Sequence, residues 1–155
     1  MTYWLLKSEP DEFSIQDLRQ KTTARWDGVR NYQARNFIGT MAPGDLAFFY
    51  HSSCKDIGIA GVMKIVSEPY PDPLALDKSS AYFDAKSLIE NKWLAIDMSY
   101  QTTFKQVATL ARIKALALKD DRLSDLKLIQ KGNRLSVMPI SNEQWQCLIS
   151  LCEPN

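Results

Sequence analysis

Residues 26–36 read Trp-Asp-Gly-Val-Arg-Asn-Tyr-Gln-Ala-Arg-Asn, which places two aromatics, two arginines and several amides within eleven positions. Aromatic faces stack on flat rings, while amides and guanidinium forks hydrogen-bond to base edges and phosphates. The stretch is therefore suited to holding a nucleobase. Trp26 is the candidate stacking wall, with a core tryptophan as the plain alternative. Tyr32 offers a second wall or an ordinary helix-core aromatic, and Val29 lies between them in the same motif. Arg30 and Arg35 can fork onto a phosphate or a base edge; for Arg35 a surface salt bridge is an equal alternative. Asn31 either pairs with a base or caps the helix that follows.

Two further stretches can supply polar contacts to the same ligand. Lys7, Ser8 and Glu9 stand at the end of a short apolar run, just before Pro10, which forces an extended backbone on Glu9. Glu9 can accept from the exocyclic amine of a cytosine. Tyr50, His51, Ser52 and Ser53 close a second apolar run, and His51 is the only histidine of the chain. One histidine and cysteines at 54, 147 and 152 share no zinc-ligand spacing, so neither a metal nor a cofactor is expected.

A chain of 155 residues with net charge +1 has the length of one domain and is not a uniformly basic wrapper of duplex DNA. The basic residues are instead concentrated locally: Arg19, Lys21, Arg25, Arg30 and Arg35 face a single acid, Asp27, between positions 19 and 36. A solvated charged face is the plain alternative, but it has no use for the interleaved Trp26 and Tyr32. The odd number of cysteines argues for a reducing compartment. The opening apolar run is too short for a secretory signal and nothing approaches a membrane span, so a cytoplasmic location, or a nuclear one in a eukaryote, is expected.

The elements that must position these residues follow from pattern. Strands are expected at Tyr3–Lys7, at Leu46–Tyr50 (apolar on both faces, hence central), at Ile57–Val66 with Gly58 and Gly61 permitting a bend, at Trp93–Tyr100 and at Leu135–Ile140. Tyr82–Asp84 is a possible edge segment, and prolines 69, 71 and 73 impose an extended loop. Helices are expected from Ser14 to Lys21, from Asn31 to Ile38, over Leu110–Leu118 and Leu123–Gln130, and after the capping box Ser141…Gln144. Thr22–Arg25 reads as a polar linker. The class is α+β, a mixed β-barrel of five to six strands decorated with short helices.

Trp4–Pro10, the eleven-residue motif at 26–36 and Gly44-Asp45 through Phe48-Phe49-Tyr50-His51-Ser52 together resemble the EVE-domain family of the PUA-like superfamily. Matches continue at Gly58–Gly61, Glu68–Asp72 and Leu135–Pro139, in order and over nearly the whole chain. The resemblance implies a single PUA-like domain over residues 1–155, a pseudo-barrel that holds one base in a pocket as the related YTH readers of methylated RNA do. It also implies a non-catalytic module whose partner is DNA or RNA carrying a modified base, cytosine derivatives foremost. The competing readings are a small hydrolase of modified nucleosides, built on Lys7, Ser8, Glu9 and His51, and a protein-interaction module using the loop at Pro69–Pro73.

Overall fold

The computed structural model describes residues 1–153. Its strands are β1 (Tyr3–Ser8), β2 (Thr23–Trp26), β3 (Leu46–His51), β4 (Gly58–Ile65), β5 (Tyr70–Pro71), β6 (Leu94–Thr109) and β7 (Val137–Ile140). Its helices are α1 (Ile15–Lys21), α2 (Tyr32–Ile38), α3 (Leu110–Ala117) and α4 (Asn142–Ile149). Successive side chains of a strand point to opposite faces, and the two central strands bury both. Trp4 and Leu6 of β1 and Phe49 of β3 enter one apolar cluster, with Ile15, Leu18 and Ile38 from α1 and α2. Leu5, Phe48 and Tyr50 enter the other, against Ile113, Trp145 and Leu148 from α3 and α4. Trp145 stacks on Phe48 with ring centroids 3.9 Å apart.

β1 and β3 run parallel, from Tyr3 opposite Leu46 to Ser8 opposite His51. Their C-terminal ends therefore leave the sheet side by side, and the Ser52 amide donates to the Ser8 carbonyl at 3.0 Å. This parallel pair brings the segments 7–9 and 50–53 together. The other pairings are antiparallel, in the order β2-β6-β4-β3-β1-β7, with β5 paired to β6 off this path.

The class is α+β, but the sheet has seven strands and is not closed into the expected barrel. Its terminal strands β2 and β7 are only four residues long and lie at opposite ends of the strand order. Helices on both faces cover the apolar surface that closure would otherwise bury.

Local signals account for most boundaries. Ser14 accepts from the Asp17 amide while the Asp17 carboxylate accepts from the Ser14 amide, a complete capping box. Ser141 and Gln144 form another at the start of α4. The expected linker at 22–25 is largely strand: Thr23–Trp26 pairs with Ser99–Ile96 of β6, a partnership that only the sheet supplies. β6 continues nine residues past Tyr100, to Thr109, because β4 pairs with that extension. The helix expected over Leu123–Gln130 is replaced by two short 3₁₀ turns, Asp121–Leu123 and Lys127–Ile129. Leu123, Leu126 and Leu128 are the buried residues there, and the step from 126 to 128 breaks a helical stripe. Tyr82–Asp84 forms no strand, whereas Tyr70–Pro71 does.

The register of β4 shifts against both neighbours, beside Gly61. A β-carbon there would sit 2.3 Å from the Thr102 carbonyl oxygen and 3.0 Å from Ile15. Backbone cannot yield cheaply, so Gly61→Ala is expected to cost about 1–3 kcal/mol of stability, read as a lower denaturation midpoint in urea with an unchanged slope.

Candidate nucleic-acid interface

A cavity of about 960 Å³ opens where β1 and β2 end, lined by Lys7, Ser8, Glu9, Trp26, Val29, Arg30, Asn31 and Ser52 among others. Eight of the residues singled out in the sequence therefore meet on one hollow. Trp26 is both wall and core. Only 7 % of it is exposed, and its indole packs edge-on against Phe49 (5.2 Å, 81°) and Phe13 (6.4 Å, 82°). The core reading offered by the sequence therefore holds, and the side chain also borders the cavity. Among the described residues nothing pairs with the Trp26 indole N–H, and that atom is not sealed from solvent.

Arg30 does not offer a free fork to a phosphate. Its Nε and Nη2 donate to the Tyr82 carbonyl at 3.0 and 2.8 Å, and Nη1 donates to the Val29 carbonyl and to Asp72 Oδ2, both at 2.9 Å. Asp72 has no exposed surface and also accepts from the amides of Gly28 (2.9 Å) and Leu74 (2.8 Å). The pair clamps the 26–31 turn to the 72–84 segment. Gly28 sits at φ +76°, and a β-carbon there would touch the Tyr82 ring at 3.1 Å, so the turn and Tyr82 fit only with glycine between them. The Tyr82 hydroxyl in turn donates to the Glu12 carboxylate across the hollow. That bond, together with burial, pushes the phenol up to about 12.

Asn31 takes the commoner of its two roles: its Oδ1 accepts from the Ala34 amide at 2.9 Å and caps α2, while the residue still borders the cavity. Lys7 places its ammonium 5.6 Å from the Tyr50 ring centre, and burial lowers its pKa. Ser8 Oγ donates to the Phe13 carbonyl at 2.6 Å.

Five expected residues lie off this cavity. Tyr32 is 56 % exposed and stacks on Trp93 at 4.8 Å, because α2 turns it outward over the 85–93 segment. Arg35 lies over the Tyr32 ring and donates to the Lys92 carbonyl at 3.2 Å. Tyr50 points into the opposite core cluster. Ser53 is exposed in the turn after β3, at φ +53°. His51 faces a second, smaller cavity; its Nε2 accepts from the Ile15 amide at 3.1 Å, and burial lowers its pKa.

The fold adds residues the sequence reading left out: Glu12, Phe13, Lys21, Arg25, Tyr82 and Arg134 also line the larger cavity. Lys21 and Arg25 belong to the basic run already visible in the sequence, and the formation of β2 carries them to the rim. Arg134 and Tyr82 arrive from distant loops with no local signal. Arg25 pairs with Asp27 at 2.7 Å, which raises its pKa. Lys7, Lys21 and Arg134 remain as rim cations against Glu9 and Glu12. Among the described residues no His/Cys/Asp/Glu group is arranged to hold a metal, and no helix is long and apolar enough to cross a membrane.

A family model described as "EVE domain" matches residues 2–151. Thymocyte nuclear protein 1 of Homo sapiens is 41 % identical, the match spanning 98 % of this chain and 74 % of that protein. A crystal structure of a Pseudomonas syringae protein superposes with TM-score 0.91 at 56 % identity, covering 96 % of this chain and 98 % of that one. The crystal structure of human THYN1 in complex with 5-methylcytosine-containing DNA superposes with TM-score 0.92 at 39 % identity, over 97 % of each chain.

Removing one partner of a buried ion pair strands the other. Asp72→Ala is accordingly expected to destabilise the protein by about 3–5 kcal/mol, measurable by denaturant titration. His51 supplies a pH signature. Its folded pKa lies below the ordinary 6.5, so its contribution is complete above pH 6.5 and is lost as pH falls through the lower folded value. Protonating Nε2 breaks the bond to Ile15. A melting-temperature profile is expected to fall on that acid limb and to flatten there in His51→Gln.

Proposed function

The chain belongs to the EVE-domain family, and from that premise we propose that its larger cavity holds one base of a nucleic acid, with methylated cytosine in DNA the best-supported ligand. The observation that carries this reading is the Trp26 wall, an indole anchored edge-on in the core beside a hollow rimmed by Lys7, Lys21 and Arg134. An anchored ring loses little freedom when a base stacks on it, and the cations stand where a phosphate chain would pass. Glu9 and Glu12 can accept from the exocyclic amine that distinguishes cytosine from thymine. The complex formed by the human relative supports the methylated base as ligand. Residues 1–155 act here as one binding module, without chemistry of their own.

The hydrolase reading draws no support from the geometry. Ser8 spends its proton on the Phe13 carbonyl, and His51 lines the other cavity with its lone pair already engaged. Ser8 and His51 therefore form no nucleophile–base pair at the larger cavity.

The test is a titration against oligonucleotides that differ only in one cytosine 5-methyl group, made as DNA and as RNA. Burying a methyl is worth roughly 0.8 kcal/mol, about fourfold in affinity, and that preference is expected on DNA. Identical affinities with and without the methyl group would remove the modified-base element of the proposal. Stacking on an aromatic contributes about 1–3 kcal/mol per base. Trp26→Phe, which retains part of the ring and its packing, is expected to weaken binding by less than that while keeping a native melting transition.

A further inference from the structure

The second cavity, of about 390 Å³, is unassigned by anything above, and it is lined by a histidine with one ring nitrogen unpaired among the described residues. His51 is 8 % exposed, and its Nε2 accepts from the Ile15 amide, so in the neutral ring the proton sits on Nδ1. Among the described residues no acceptor meets that N–H, and the atom is not sealed from solvent, so it is available to an acceptor at the cavity His51 lines. Lys55 and Lys105, both exposed, stand on the same cavity against one carboxylate, Asp56. The imidazole cannot act as a base there, because its lone pair is taken. Its N–H suits an acceptor, and the two ammonium groups favour an anionic one.

The two cavities are lined by neighbouring residues of the chain. Glu9 lines the first and Pro10 the second, adjacent residues about 3.8 Å apart along the backbone. Likewise Ser52 lines the first, and His51 and Cys54 the second. The Glu9–Pro10 turn therefore stands between the two hollows, within reach of a strand that has a base in the larger one.

We propose that the second cavity receives a flanking phosphodiester of the strand whose base occupies the first, with His51 Nδ1–H and the ammonium groups of Lys55 and Lys105 as its donors. This rests on the base-holding reading of the larger cavity. It extends the footprint to the far side of the Glu9–Pro10 turn and gives the lone histidine a binding task at neutral pH.

The experiment measures affinity for the methylated DNA oligonucleotide against salt concentration, for the wild type and for the Lys55→Ala/Lys105→Ala variant. Both lysines are exposed, so the variant is expected to melt as the wild type does. Loss of a charge-assisted phosphate contact is expected to weaken binding roughly tenfold. The salt slope should fall by about 0.9 on duplex or 0.7 on single-stranded DNA. A scan of single methylphosphonates on either side of the methylated base should find one position that weakens the wild type and leaves the variant unaffected. At that position alone the His51 ring ¹⁵N shifts, which move on adding the native strand, should stay still.

Wild-type binding with an unchanged slope in the variant and no sensitive phosphate would overturn the second cavity's role and leave the first intact. Failure of the wild type to bind any oligonucleotide would overturn both. Equal ¹⁵N shifts on adding inorganic phosphate alone would replace the strand contact with a free-anion site.

Discussion

A single fully buried carboxylate, Asp72, holds the larger cavity in shape. It ties together three stretches that are distant in the chain: the Gly28 amide and Arg30 on one side, the Leu74 amide within its own turn, and the 91–93 segment through its backbone, which accepts from Asn91 and donates to the Trp93 carbonyl. A charge without solvent is tolerable only when it is fully hydrogen-bonded. Each of these bonds therefore has to be made at once, and making them sets the distance between the 26–31 turn and the loop that carries Tyr82. Gly28 suits the same constraint, since its φ of +76° strains any other residue and a side chain there would press on the Tyr82 ring.

This assigns the motif arginines differently from a phosphate-gripping picture. Arg30 is a structural clamp whose charge is neutralised inside the protein, and Arg35 serves the outer surface over Tyr32 and Lys92. The cations left at the rim are Lys7, Lys21 and Arg134, from three separate elements. An aromatic wall fastened into the core with charge distributed around it is a sound arrangement for a base reader. The wall is preorganised, and Lys21 and Arg134 at the rim are exposed and hydrated.

The parallel pairing of β1 and β3 governs the rest. It aligns the ends of two strands, so that the residues after them border both cavities, and it places His51 where its ring caps the start of α1 and still reaches a hollow. Trp26 and His51 consequently each support the fold and border a cavity.

The doubly apolar run at 46–50, the capping residues Ser14, Asn31 and Ser141, and the cluster at 26–36 were decisive on their own, because each acts through neighbours within a few positions. They determined the α+β class, most element boundaries, and four of the residues that meet on one cavity, Trp26, Val29, Arg30 and Asn31. The tertiary structure alone decided that Thr23–Trp26 is a strand, that β6 runs to Thr109, that the sheet stays open, and which arginine is spent internally. Those outcomes depend on partners tens of residues away: Ser99 opposite Thr23, Thr109 opposite Gly58, Tyr82 and Asp72 around Arg30. Periodicity and capping report on local backbone energetics. Whether an arginine faces a ligand or a buried carboxylate depends on which distant groups the folded chain brings within reach of it.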